Sequence, residues 1–335
     1  MARILLAGDI GATKTQLALF QAGDGRAARL TILRKQRYRS TGYPGLEPMC
    51  AEFLSDGVRV DAAGFGVPGV VVLGTAEPSN LAWKLDAKQI SAALGGAPVR
   101  LLNDLAATAL GVVELTDADY ETIQENSLPE ATARSGNVAV IAAGTGLGEA
   151  ALACHDGRYY PVVSEGGHSS FAPEDEEQID LLGFLKHEFG HVSCERVLSG
   201  PGLVNLYRFL RTRSGVTEPS WLTAALAGGD SAAAISAAAE SARDGVCVDA
   251  LARFCAIYGA EAANLALKVL ALGGVYLCGG IAPKILPWLK RGEFARAFAA
   301  KGRLAPMLGK IAVRVVINPD VAVLGAAHSA LAMLC

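Results

Sequence analysis

The sequence predicts an α/β protein made of two related lobes, and three observations carry that expectation. The chain has 335 residues, more than one compact core comfortably uses. A unit of apolar strand, glycine-rich turn and second apolar strand occurs twice, far apart in the chain. Apolar runs of strand length are interspersed with helical stretches that dominate the second half. A duplicated unit of this kind suggests two halves that face a common ligand.

The first copy opens with residues 3–7, a buried-strand pattern that meets the turn Gly8-Asp9-Ile10-Gly11-Ala12-Thr13 and leaves through residues 16–20. The second enters over 137–142, turns through Gly144-Thr145-Gly146-Leu147-Gly148 and leaves over 149–153. Between them, 62–67 reads as a strand ending at Pro68-Gly69. Residues 99–102 read as another, ending at Asn103-Asp104 ahead of a helix over 105–113. Acids after Pro173 start a helix over 174–189, and 202–211 and 248–272 are further helices. A short strand, 275–278, runs into Gly279-Gly280-Ile281-Ala282-Pro283. After a last strand at 313–317, Asn318 reads as an N-cap, Pro319 as the first helical position and 320–334 as the closing helix. No low-complexity linker divides the chain. The expected lobes are 1–114 plus 317–335, the smaller, and 115–316, the larger.

Hydrophobic residues make up 51% of the chain and charged residues 19%, which excludes a disordered protein. A net charge of −3 without a basic stripe gives nucleic-acid binding no electrostatic support. The N-terminal apolar run reaches an aspartate too soon for a signal peptide, and the apolar stretch 265–282 is broken by Lys268 and four glycines, so no membrane span is expected. Seven scattered cysteines without a Cys-x-x-Cys pair point to a reduced, cytoplasmic protein.

Glycine turns let backbone N–H groups converge on a phosphate. A single such turn reads more simply as a hairpin, but two, each with a threonine (Thr13 and Thr145), are harder to dismiss. Neither has the glycine spacing of a dinucleotide fingerprint or a Walker loop. Valine at Gly11 or Gly146 is expected to block phosphate and to penalise any positive φ. Asp9 can hold Mg²⁺ through water. Asn103-Asp104 lies where open α/β sheets place ligands, and Asp104 can accept a proton from a hydroxyl, although an Asn-Asp pair is also an ordinary helix cap. Glu165, His168 and Glu195 sit among glycine turns and suit a ring of sugar hydroxyls, with surface-turn and solvated-helix roles as the alternatives. Gly279 and Gly280 can admit a flat adenine ring or tight packing. His187-Glu188-Phe189-Gly190-His191 matches the zinc-peptidase pattern, but Gly190 is expected to stop the helix between the two histidines.

Taken in order, these segments resemble the bacterial glucokinase family of the actin–hexokinase–Hsp70 superfamily. The run 190–207 is the most specific part of the likeness. The resemblance implies a two-lobed actin/hexokinase-like (ribonuclease H-like) fold with a ligand cleft between the lobes. It implies transfer of the γ-phosphoryl of ATP, with Mg²⁺, to the 6-hydroxyl of glucose by a homodimer. On the same basis Asp104 is the catalytic base, and Asn103, Asp104, Glu165, His168, Glu195 and, from the loop 78–83, Asn80 contact glucose. ATP and its phosphates meet Gly8, Asp9, Ile10, Gly11, Ala12, Thr13, Gly144, Thr145, Gly146, Gly279 and Gly280. The chain departs from the family at Ala12, where a second glycine is usual and which implies a compatible φ or a wider turn. It departs also at Lys14, where asparagine is frequent. The cysteine-rich zinc motif of the related repressor-type sugar kinases is absent, so no zinc is expected. A kinase for another hexose, or a non-catalytic sugar sensor on the same fold, stays open.

Overall fold

The computed structural model describes residues 2–23, 29–78 and 81–334. The chain forms two compact units: Met1–Tyr120 with Tyr159–Val163 and Asn318–Cys335, and Glu121–Arg158 with Ser164–Ile317.

In the first unit, β1 (Arg3–Ile10) and β2 (Lys14–Ala22) form an antiparallel pair, and β3 (Leu30–Arg39) adds to the outer side of β2. β4 (Ala62–Val67) lies parallel to β1. A small ribbon of β5 (Thr75–Ala76) and β6 (Leu85–Asp86) precedes β7 (Val99–Asn103), which is parallel to β4. The sheet order is β3-β2-β1-β4-β7. β4 is buried at every residue, as a strand covered on both faces must be. The first strand runs on through Gly8, Asp9 and Ile10, so the turn is shorter than the sequence suggests and consists of Gly11–Thr13.

One face of this sheet carries the helices Asp104–Val112 and Val321–Leu331. A Cβ on Gly111 would overlap the carbonyl oxygen of Val321, and one on Gly325 that of Ala107. Two glycines therefore let these helices touch backbone to backbone, which fixes the helix that begins with Asp104. The closing helix starts at Val321, not at Asp320. Asn318 Oδ1 accepts the Asp320 N–H at 2.8 Å, making a local turn instead of a helix cap. The buried Asp320 carboxylate is drawn to the sheet, accepting from Gln16 Nε2 at 2.7 Å and Lys35 Nζ at 2.5 Å.

A second sheet is formed by β8 (Tyr120–Gln124), β9 (Val138–Ala143), β10 (Leu147–His155), β11 (Arg158–Val163), β12 (Gly274–Cys278) and β13 (Val313–Val316). Their order is β11-β10-β9-β12-β13-β8. β9 is antiparallel to β10 and parallel to β12, and β12 is parallel to β13. Leaving out the edge strand β8, this repeats the third-second-first-fourth-fifth order of the first sheet. The duplication thus extends from the turn to the whole sheet. The 25-residue helix Gly245–Val269 is the core of the second unit, with Phe254 and Tyr258 fully buried against Phe294. The helix Glu176–Phe189 ends at Gly190, whose φ of 68° stops it before His191. The two histidines of the zinc-peptidase pattern therefore do not share a helix.

Candidate functional site

In the first unit the parallel strands end side by side. Asp9 of β1 pairs with Gly66 of β4, which pairs with Leu102 of β7, one residue before Asn103. Gly66 leaves room between them: a Cβ there would sit 3.6 Å from the Asp104 Cα and 3.9 Å from the Gly8 carbonyl oxygen. Asp9 and Asp104 are consequently close enough to repel. Burial and the Asp104 charge push the Asp9 carboxyl up to about 6, and the Arg37 guanidinium offsets part of the shift. Arg37 is held by its Nε–H to Gln16 Oε1 at 2.7 Å, so Asp320, Gln16 and Arg37 form a chain leading toward Asp9.

Asn103 is the helix cap that its sequence position allows. Its Oδ1 accepts from the N–H groups of Leu105 and Ala106 at 3.0 and 3.1 Å, and its Nδ2 donates to the Gly69 carbonyl at 3.1 Å. The cap and the ligand role are compatible, because the cap is what holds Asp104 at the first helical position. Asp104 Oδ1 accepts from the Leu105 N–H at 2.8 Å. The first turn is braced from β3: Ser40 N–H donates to the Thr13 carbonyl, and Ser40 Oγ–H to the Gly11 carbonyl at 2.6 Å. Ala12 does not adopt a positive φ, which explains why alanine is tolerated where glycine is usual. Gly11 has none either. Asn80 lies outside the described residues.

In the second unit the turn after β9 is joined to the Glu195 segment. Glu195 Oε2 accepts from the Leu147 N–H at 3.0 Å, and Gly200 N–H donates to the Gly144 carbonyl at 2.8 Å. A Cβ on Gly146 would lie 2.5 Å from Glu195 Oε2. The glycine there answers to packing, since Gly146 has no positive φ, which corrects the expectation of a conformational requirement. Glu165 precedes the short turn Gly166–His168 and His168 ends it, both exposed. His191 Nε2 lies 3.0 Å from the His168 carbonyl oxygen, and Cys194 N–H donates to the Ser169 carbonyl at 2.9 Å. Glu165, His168, Glu195 and the second turn thus form one patch.

On the other side of that turn lies a cavity of about 850 Å³, ample for a nucleotide. Gly144, Thr145 and Gly280 line it, with Pro201, Asn205, Ser231 and Lys284. Gly279, at φ 81°, carries the chain past the backbone of Ala143, where a Cβ would be 2.5 Å from its carbonyl oxygen. Ser231 and Lys284 were not singled out from the sequence. The signal for the first was present: Asp230 before an alanine-rich run is a helix start, and Asp230 Oδ1 does cap the helix Ser231–Glu240 through the Ala233 N–H at 3.0 Å.

The sequence model of the glucokinase family matches residues 6–333. The chain belongs to the glucokinase family. A glucokinase of Nostoc sp. (strain PCC 7120) is 40% identical over 97% of this chain and 98% of its own length. The crystal structure of a glucokinase from an Antarctic psychrotroph superposes with a TM-score of 0.88 at 30% identity, covering 98% of this chain and 99% of that one. At the level of fold alone, the chain matches a ROK family glucokinase from Streptomyces griseus in complex with glucose and AMPPNP, with a TM-score of 0.62, 22% identity and coverage of 98% and 99%. The hexokinase-like α/β fold expected from the sequence is the fold of these kinases.

Proposed function

We infer that the protein is an ATP-dependent glucokinase, transferring the γ-phosphoryl group to the 6-hydroxyl of D-glucose to give glucose 6-phosphate and ADP. The observation that carries the chemistry is the Asp9–Asp104 pair at the strand ends. Asp104, fixed by the Asn103 cap, orients the 6-hydroxyl and takes its proton as the new O–P bond forms. Alignment matters more than base strength, because the phosphoryl group is loosely bonded in the transition state. The backbone amides of the two turns, with Thr13 and Thr145, stabilise the phosphate charge. The nucleotide occupies the cavity beside Gly144, Thr145 and Gly280. Glu165, His168 and Glu195, with Asn103, accept and donate hydrogen bonds to the sugar hydroxyls.

Magnesium fits Asp9 as a hydrated ion. A divalent charge beside Asp9 offsets the burial and the Asp104 repulsion that together raise its carboxyl to about 6. Among the described residues no cluster of three His, Cys, Asp or Glu side chains is built to strip a metal of its water. Bound there, Mg²⁺ supplies neutralising charge to the phosphates. We assign the protein to the cytoplasm as a homodimer. Free cysteines at Cys50, Cys154, Cys194, Cys247, Cys255 and Cys278 support a reducing compartment, and no helix among the described residues is long and apolar enough to cross a membrane. The dimer rests on family resemblance, and light scattering tests it.

The deciding experiment is a coupled ADP-release assay with glucose and a panel of other hexoses, on the wild type and Asp104→Asn. The variant is expected to keep glucose binding and lose at least ~100-fold in kcat. A variant keeping more than about a tenth of the turnover overturns Asp104 as base, and a higher kcat/KM for mannose or fructose overturns glucose as the substrate.

A further inference from the structure

Behind the loop that carries Glu165 and His168 lies a pair of acids that the reaction does not use. Glu149, on β10, is 1% exposed, and Glu261, on the helix Gly245–Val269, is 6% exposed. Their carboxyl groups are near enough for the Glu261 carboxylate to act on that of Glu149. Glu149 Oε1 and Glu261 Oε1 have no hydrogen-bond donor in the protein, and Asn264 Nδ2 donates to the other Glu261 oxygen at 2.9 Å. Two carboxylates can only accept, so the pair is satisfied only when one of them carries a proton. The other Glu149 oxygen, Oε2, fills the space a Cβ on Gly166 would need, and the Gly166 N–H donates to Ser164 Oγ at 2.8 Å. The turn between Glu165 and His168 is therefore seated directly on Glu149.

We propose that Glu149 is a positioning residue for sugar binding: it shares one proton with Glu261, and the protonated pair holds the Gly166–His168 turn in the conformation that presents Glu165 and His168 to glucose. The proposal rests on the reading that these two residues contact the sugar. Burial, then the Glu261 charge, pushes the Glu149 carboxyl up to about 7. Four other titratable groups lie around the pair. The Lys268 ammonium, 3.7 Å from Glu261 Oε1 and largely exposed, favours the ionised form. The Cys194 thiol is pushed up to about 12 by burial and by the acids, and stays neutral. His168 and Glu165 border Gly166 on the loop itself. Because the folded protein holds the proton more tightly than the unfolded chain, the stabilisation is complete in acid and is lost as pH rises through about 7. Above that, two buried like charges push against the turn.

The test measures glucose dissociation constants by calorimetry, and kcat, from about pH 6 to pH 8.5 on the wild type, E149Q, E261Q and E165Q. Glucose binding by the wild type is expected to weaken severalfold across this range, with its midpoint near neutrality. E149Q keeps a neutral donor at every pH, so its dissociation constant stays near the low-pH wild-type value. E261Q preserves the same hydrogen bond with the roles reversed and is expected to flatten the profile too, which keeps the test valid should E149Q fold poorly. A wild-type constant that does not vary, or variants that both retain the wild-type rise, overturns the proposal. E165Q separates the two levels. If it binds glucose as tightly as the wild type, the sugar assignment of the loop fails and the proposal with it. If it binds weakly while E149Q and E261Q keep the wild-type profile, the proposal alone fails.

Discussion

The two glycine turns share a strand order and a backbone form, yet they are supported in opposite ways. The first is braced from outside the turn by Ser40, and the nearby carboxylates Asp9 and Asp104 repel each other. The second is braced by a carboxylate, since Glu195 accepts the Leu147 N–H while occupying the space beside Gly146. On the proposed function, one backbone motif is equipped twice, once for proton and cation chemistry and once for holding ligands. The comparison teaches that duplication fixes the frame while the side chains reaching in from distant segments decide what each copy does.

The largest break in that comparison should come from Asp9→Asn. Turnover is expected to fall at least ~100-fold, because the charge that would hold the hydrated cation is gone. Stability of the ligand-free protein should move the other way. The Asp9 carboxyl is raised from 3.8 to about 6, so its contribution is full in acid and is lost as pH rises through about 6. The variant should therefore match the wild type in acid and exceed it at neutral pH, by about 1–3 kcal/mol in denaturant unfolding. Equal stability of the two proteins at neutral pH would remove the repulsion from the account.

Glu195→Gln tests the opposite arrangement. Its amide cannot bond sugar hydroxyls as a carboxylate does, and glucose binding should weaken by ~1.5–3 kcal/mol with a smaller change for ATP. Titration calorimetry with each ligand reads both, and an unchanged glucose constant assigns Glu195 to bracing alone.

Paired valine variants sharpen the distinction within the second turn. A Cβ at Gly144 meets nothing within 4 Å, so Gly144→Val should intrude only on the phosphate approach and raise the ATP KM about tenfold with little effect on glucose. Gly146→Val collides with Glu195 and should impair both ligands. A purely ATP-selective defect in Gly146→Val would contradict the packing described. The smallest effect is expected at Lys14, exposed at the start of β2. Lys14→Ala should raise the ATP KM by no more than ~3-fold, and the difference should vanish in high salt, as screening of an exposed charge requires.

The sequence by itself determined the strands that are apolar along their length, the long helices, the two turns, and the helix stop at Gly190. Each of these is set by local sterics or by a hydrophobic run. It did not reveal β3, whose residues are mostly exposed and include four basic side chains, because an edge strand bonded along one side needs little apolar character. It placed the closing helix one residue early, because Asp320 looks like a first-turn acid until the sheet offers it Gln16 and Lys35. Asp104 was legible as a candidate from the Asn-Asp pair at the end of an apolar strand, and Glu165, His168 and Glu195 from their glycine-rich settings. The tertiary structure decided how they are held: Asp9 against Asp104 across Gly66, Glu195 against Gly146, and Glu149 beneath Gly166. These contacts join segments far apart in the chain, and no local propensity encodes them. At Gly146 and Gly166 a glutamate carboxylate from a distant segment fills the volume that a side chain would need.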